Sequence, residues 1–277
     1  AVIQQYFHDF DGARTRLERV LETSPGHVEA VLQLAMVDVV RGEYRLAREL
    51  LARHPSVLGS SRGLSIVAII SSLSGQLDRS FEMLEREFKL LIDADERAWV
   101  AATLAEMAAR RGDLPAAEKF LDFARLAQPE SLPVLIQRLD LLLEQKRELE
   151  VVRLTVGNSA NTGVLLRRAI ALKRIAPRSE GFKAVRDELR DRFASDYEQK
   201  HPQEEAMFAL WVLDDAAAAL KLAHENFANQ REPVDARLVV ESAARLGKPE
   251  KAEHVLEWRR QAKLEDAALE ALLAREK

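Results

Sequence analysis

The 277-residue chain contains no cysteine, which excludes disulfides, thiolate metal sites and cysteine nucleophiles. That absence does not fix a compartment, since cytosolic and periplasmic proteins both manage without Cys. Glycine and proline are scarce, at 11 and 9 residues, and aromatics make up only 6%. With few helix breakers, Ala, Leu, Glu, Arg and Lys dominate, side chains that lose little rotamer freedom in a helix. An excess of either charge is also missing: 41 basic against 45 acidic residues leave a net charge of −4. That balance argues against a duplex nucleic-acid binder working through counterion release. No uncharged apolar run approaches the roughly 18 residues that a membrane span needs. The start, "AVIQQYFHDFDGARTRL", has neither the basic nor the apolar region of a signal peptide.

What the chain does have is 47% hydrophobic residues, enough to bury a core, and a period. Gly112 is followed by Ala117, Leu121 and Pro129. Gly42, Ala47 and Leu51 repeat that spacing, as do Gly247, Ala252 and Leu256. Gly75, Ser80 and Leu84 keep it with one small-for-small change, and His8, Ala13, Leu17 and Pro25 keep it with His for Gly. Self-similarity of this length points to stacked supersecondary units. The spacing describes a helical hairpin. Gly sits just past the first helix, where positive φ is needed. Ala marks the close approach of the pair, Leu lies one turn further on the same face, and Pro ends the second helix.

The pattern Leu104-Ala105, Ala108, Ala117, Leu121 and Pro129 resembles a tetratricopeptide repeat (TPR) with Ala in the small and aromatic slots. The resemblance implies an all-α, right-handed superhelical TPR-like α-solenoid of antiparallel helix pairs. The reading is a half repeat at 1–25, then units at about 28–55, 61–92, 96–129, 132–157, 161–196, 200–230 and 233–262, with a capping helix at 264–275. Lys146 stands for the turn Gly in the fifth unit, and Asp214 or Asp215 in the seventh. The loop-forming "NSANTG" at 158–163 divides an N-terminal array, 1–157, from a degenerate C-terminal array, 158–277. The segments 8–17, 71–85, 104–118, 226–243 and 255–266 also resemble a group of bacterial exported TPR-repeat proteins. That likeness implies a truncated first repeat, a longer precursor and a periplasmic location, with a cytoplasmic one as the alternative.

Catalytic motifs are wanting. The six histidines form no HExxH, and there is no GxGxxG, P-loop or GxSxG. His8-Asp9-x-Asp11 falls on an expected interhelical turn, where polar residues belong. No metal, cofactor or catalytic residue is therefore assigned. The basic stretch 167–178 reads as an exposed helix face neutralised by the acids of "RDELRDRFASD" and not as an RNA surface, because aromatics for base stacking are missing nearby. The tripeptide Arg111-Gly112-Asp113 occupies the interhelical turn of the fourth unit and reads as a turn, not an adhesion ligand.

The TPR resemblance implies a concave groove lined by the second, fifth, ninth and twelfth positions of each first helix. These are Glu29, Leu32, Met36 and Val39; Trp99, Ala102, Glu106 and Ala109; and Pro133, Ile136, Asp140 and Leu143. Trp99 is the expected anchor, with packing against the preceding repeat as its competing role. The expected function is a non-catalytic scaffold binding a peptide segment or helix of a partner protein. The alternative is one domain of a larger bacterial envelope complex, packed on a membrane protein or on its own missing N-terminal part. No nucleic acid and no direct membrane span are expected, and a homodimer through exposed terminal repeats stays open.

Overall fold

The structure is a computed structural model that describes residues 9–158, 160–195 and 201–275. Residues 1–8 of the half repeat, His8 among them, lie outside the described residues, as do Ser159 and residues 196–200 and 276–277. The described chain is all α, with seventeen helices in sequential antiparallel pairs. The first are α1 (Phe10–Thr23), α2 (Val28–Val40), α3 (Tyr44–Ala52) and the short α4 (Pro55–Leu58). Next come α5 (Ser61–Ser72) with α6 (Leu77–Leu90), α7 (Ala94–Arg110) with α8 (Leu114–Ala127), and α9 (Leu132–Glu144) with α10 (Glu148–Leu154). After them stand α11 (Thr162–Ile175), α12 (Glu180–Ala194), α13 (Pro202–Trp211) and α14 (Ala216–Asn229). The chain closes with α15 (Pro233–Arg245), a 3-10 turn at Pro249–Ala252, α16 (Glu253–Ala262) and α17 (Ala267–Arg275).

Burial sorts these helices into two layers. The outer helices hide one stripe each: Leu77, Ser80, Phe81 and Leu84 on α6, and Ala117, Phe120, Leu121 and Ala124 on α8. That is the i, i+3, i+4, i+7 pattern of a helix lying on a core. An inner helix such as α2 buries Ala30, Val31, Leu32, Leu34, Ala35, Val37 and Val39, nearly its whole circumference. Several starts are capped by short polar side chains, with Asp93, Asp113, Asn161, Ser179 and Asp215 accepting an N–H three residues on. The turn slots adopt positive φ as the spacing requires, +75° at Gly42, +79° at Gly75 and Gly112 and +68° at Gly247. Lys146 and Asp214 take the same conformation, at 59° and 58°, which assigns the seventh turn to Asp214 and not Asp215.

The inner helices follow one another as a continuous wall: α2, α5, α7, α9, α11, α13, α15 and α17 each pack on the next. The wall then returns on itself, because α17 also packs on α7. Apolar packing runs across the connection at 158–161, where α10 and α9 both meet α11, and one core joins residues from Phe10 to Leu269.

Candidate protein-binding groove

The inner wall places the expected groove residues on adjacent helices, α2, α7 and α9, with α5 between the first two. Their availability differs from the expectation. Leu32, Val39 and Leu143 are buried in the core, at 2%, 5% and 8% exposure, and present nothing to a partner. Met36, Trp99 and Ile136 are half-buried and keep an accessible edge. Trp99 touches both apolar cores of the molecule, so its packing role and its place on the inner face coexist. Ala102 and Ala109 are half-buried beside it, and Pro133 is exposed at the start of α9.

The three groove carboxylates are each held by an arginine of the chain itself. Glu29 on α2 accepts 2.7 and 3.3 Å hydrogen bonds from Arg62 of α5, and these, with Gln33, hold its pKa below the usual range. Glu106 lies 2.7 Å from the buried Arg110 one turn along α7. Asp140 on α9 takes a two-pronged pair from the buried Arg167 of α11, at 2.8 and 2.9 Å. Arg167 was expected on an exposed face and is instead the bolt between two inner helices; a fork-shaped guanidinium suits that task. Two more cations of the 167–178 stretch are engaged, Lys173 with Asp214 at 2.6 Å and Arg174 with the Leu143 carbonyl at 2.8 Å. Its neutralising partners are thus Asp140, Asp214 and Glu148, not the acids of α12.

Further round the wall, Glu144 at the end of α9 is exposed. Partial desolvation by the neighbouring helices raises its pKa, Arg237 opposing and the nearby Asp266 and Asp140 adding to the rise. Asp235, at the first turn of α15, is buried and accepts hydrogen bonds from Gln203 and Asn226 at 2.7 Å and from the Glu232 N–H at 2.9 Å. Burial and the neighbouring Glu232 push its pKa up. These groups are absorbed in joining helices. Among the described residues no three His, Asp or Glu side chains gather as a metal site. Asp9 caps α1 through the Gly12 N–H at 2.9 Å, and Asp11 pairs with Arg41.

A second feature, which no sequence motif signals, is a seam where the C-terminal helices sit on the N-terminal turns. The Arg231 N–H donates to the Val40 carbonyl at 2.8 Å, and Glu265 accepts from the Leu77 N–H at 2.8 Å. A Cβ on Gly42 would lie 3.1 Å from Arg231 Cδ and 3.5 Å from Trp258 Nε1. One on Gly75 would lie 2.9 Å from Lys263 Cβ, and one on Gly112 3.3 Å from Ala267 Cβ. The turns of three successive hairpins thus meet, in order, the connections that follow α14 and α16 and the start of α17. The wall is a superhelix whose second turn rests on its first. Arg111-Gly112-Asp113 belongs to this rim. Arg111 lies over the Phe81 ring at 4.4 Å and pairs with Asp78 at 2.6 Å, while Asp113 caps α8.

No helix among the described residues is long and apolar enough to cross a membrane. No curated protein matches the chain. Over residues 7–68, the stretch that carries α1 to most of α5, the chain matches the tetratricopeptide repeat family.

Proposed function

We propose that this chain is a non-catalytic interaction scaffold that takes a peptide segment or helix of a partner protein along its inner wall. A tetratricopeptide repeat is a protein–protein interaction module, and stacked hairpins create an extended inner surface of the kind such modules use. The observation that carries the reading is the half-buried trio Met36, Trp99 and Ile136 on α2, α7 and α9 of that wall. Because Glu29, Glu106 and Asp140 are neutralised within the chain, the partner is recognised through apolar anchors and not through charge. Aromatic anchors of this type carry much of the affinity in such interfaces. The resemblance to exported repeat proteins supports a periplasmic setting.

The test compares capture by the wild-type chain and by a Trp99→Ala, Met36→Glu variant, using extract of the source cells and crosslinking of the bound partner. Loss of a specific partner with unchanged helical circular dichroism supports the reading. Equal capture by a folded variant overturns it.

A further inference from the structure

We infer that the edge where α6 and α8 end is a self-association surface, through which two copies of this chain pair about a two-fold axis. The edge lies at the ends of the hairpins away from the glycine turns, apart from the inner wall. Three aliphatic side chains stand out from it: Leu90 at 73% exposure, Ile92 at 95% and Leu126 at 74%. They are neighbours in space. Phe88 of α6 and Phe123 of α8 meet edge-on at 5.1 Å, and the Gln128 side chain after α8 donates to Asp95 of α7 at 3.1 Å. Leu91, half-buried between Leu90 and Ile92 in the chain, packs on the core beneath. Contiguous exposed aliphatics mark an interaction site, whereas singly scattered ones need no explanation.

The base that carries them is braced. Phe88 also packs edge-on against Phe120 at 5.7 Å, and Phe120 against Phe81 at 6.0 Å. The Arg97 guanidinium lies over both the Phe88 and Phe123 rings, 5.0 and 4.9 Å from their centres. A preformed surface loses little entropy when it is covered. The charges around it select the occupant. Arg86 and Lys89 are already paired one turn back along α6, with Glu82 and Glu85. On the α8 side Arg125 is exposed and joins no ion pair among the described residues; on the α7 side the exposed Asp93 and Asp95 join none either. An edge of one sign would repel its own copy. Here a two-fold turn sets Arg125 of each copy against the α7 carboxylates of the other. With the exposed Glu130 the unpaired groups are net negative, which an anionic lipid surface repels. A patch centred on three side chains lies at the small end of specific interfaces, where pairing is weak and concentration-dependent.

Sedimentation equilibrium from about 5 to 500 µM, a range that reaches weak pairs, tests this on the chain alone. The mass is expected to climb from the monomer toward twice that value as concentration rises. Ile92→Glu with Leu126→Glu, both at exposed positions, should abolish the climb at unchanged helical circular dichroism. Arg125→Glu should weaken pairing about tenfold, because each substitution counts twice in a two-fold contact. Adding Asp95→Arg to it should restore the pairing. A wild-type chain that stays monomeric at the highest concentration overturns the inference. So does a dimer that survives Ile92→Glu with Leu126→Glu, since it forms elsewhere. A double reversal no better than Arg125→Glu overturns the two-fold arrangement. A monomer that instead floats with phosphatidylglycerol vesicles, and ceases to in the Ile92→Glu, Leu126→Glu variant, overturns it in favour of a lipid surface.

Discussion

Asp38 sits on the inner helix α2 with its side chain 3% exposed, facing Arg14 of α1. Burial raises its pKa from 3.8 to about 6, with Arg14 opposing the rise. A carboxyl raised in the folded state favours folding when protonated. Its contribution is full below the unfolded value near 3.8 and is lost as pH climbs through about 6. Asp38→Asn carries no charge to desolvate, so its stability relative to wild type should improve by up to about 3 kcal/mol between pH 4 and pH 8. Urea unfolding at the two pH values checks this, and a constant difference would refute the burial argument. At the same scale, Glu265 acts as a borrowed cap. Gln76 makes no side-chain cap at the start of α6, and Glu265 from the second turn bonds the Leu77 N–H in its stead. Glu265→Ala should cost about 1 kcal/mol in urea unfolding, with Glu265→Gln keeping part of the bond; no loss in the Ala variant would show the bond to be idle.

Turn chemistry distinguishes the hairpins at the scale of the element. Four turns place Gly in the left-handed region, whereas α9–α10 uses Lys146 and α13–α14 uses Asp214 there. A lysine gains nothing locally from positive φ, while a short acidic side chain tolerates it better. Lys146→Gly should therefore raise stability by about 0.5–1 kcal/mol. Asp214→Gly should gain less or lose, since it also gives up the 2.6 Å pair with Lys173. Thermal melts of the two variants side by side check the order. The same turns explain how far the hairpins were legible. Gly at fixed offsets from Ala and Leu exposes the period, and Lys146 was assigned its slot by spacing alone. The groove positions on α2 were not legible in the same way, because Leu32 and Val39 are apolar whether they face a partner or a core.

For the whole molecule the seam alters the usual energetics of a repeat array. In an open solenoid each unit interacts only with its neighbours, but here α17 packs on α7 and the second turn rests on the rim of the first. Unfolding should then couple distant units. In a chain with Trp211 and Trp258 replaced by Phe, fluorescence reports Trp99 of the first turn. Phe227→Ala, a core change in the second turn costing about 3–5 kcal/mol, should lower the denaturant midpoint seen by Trp99. An unmoved midpoint would mean independent arrays. By itself the sequence determined the helical hairpin, its period, its turns and its two-layer stacking, because those depend on contacts a few residues apart. The tertiary structure alone decided which inner residues stay accessible, that Arg167 is a buried bolt and that Arg231 and Glu265 close a seam. Each of these depends on how far the superhelix turns per repeat, an angle summed over many small packing contacts between units, and no local pattern encodes it.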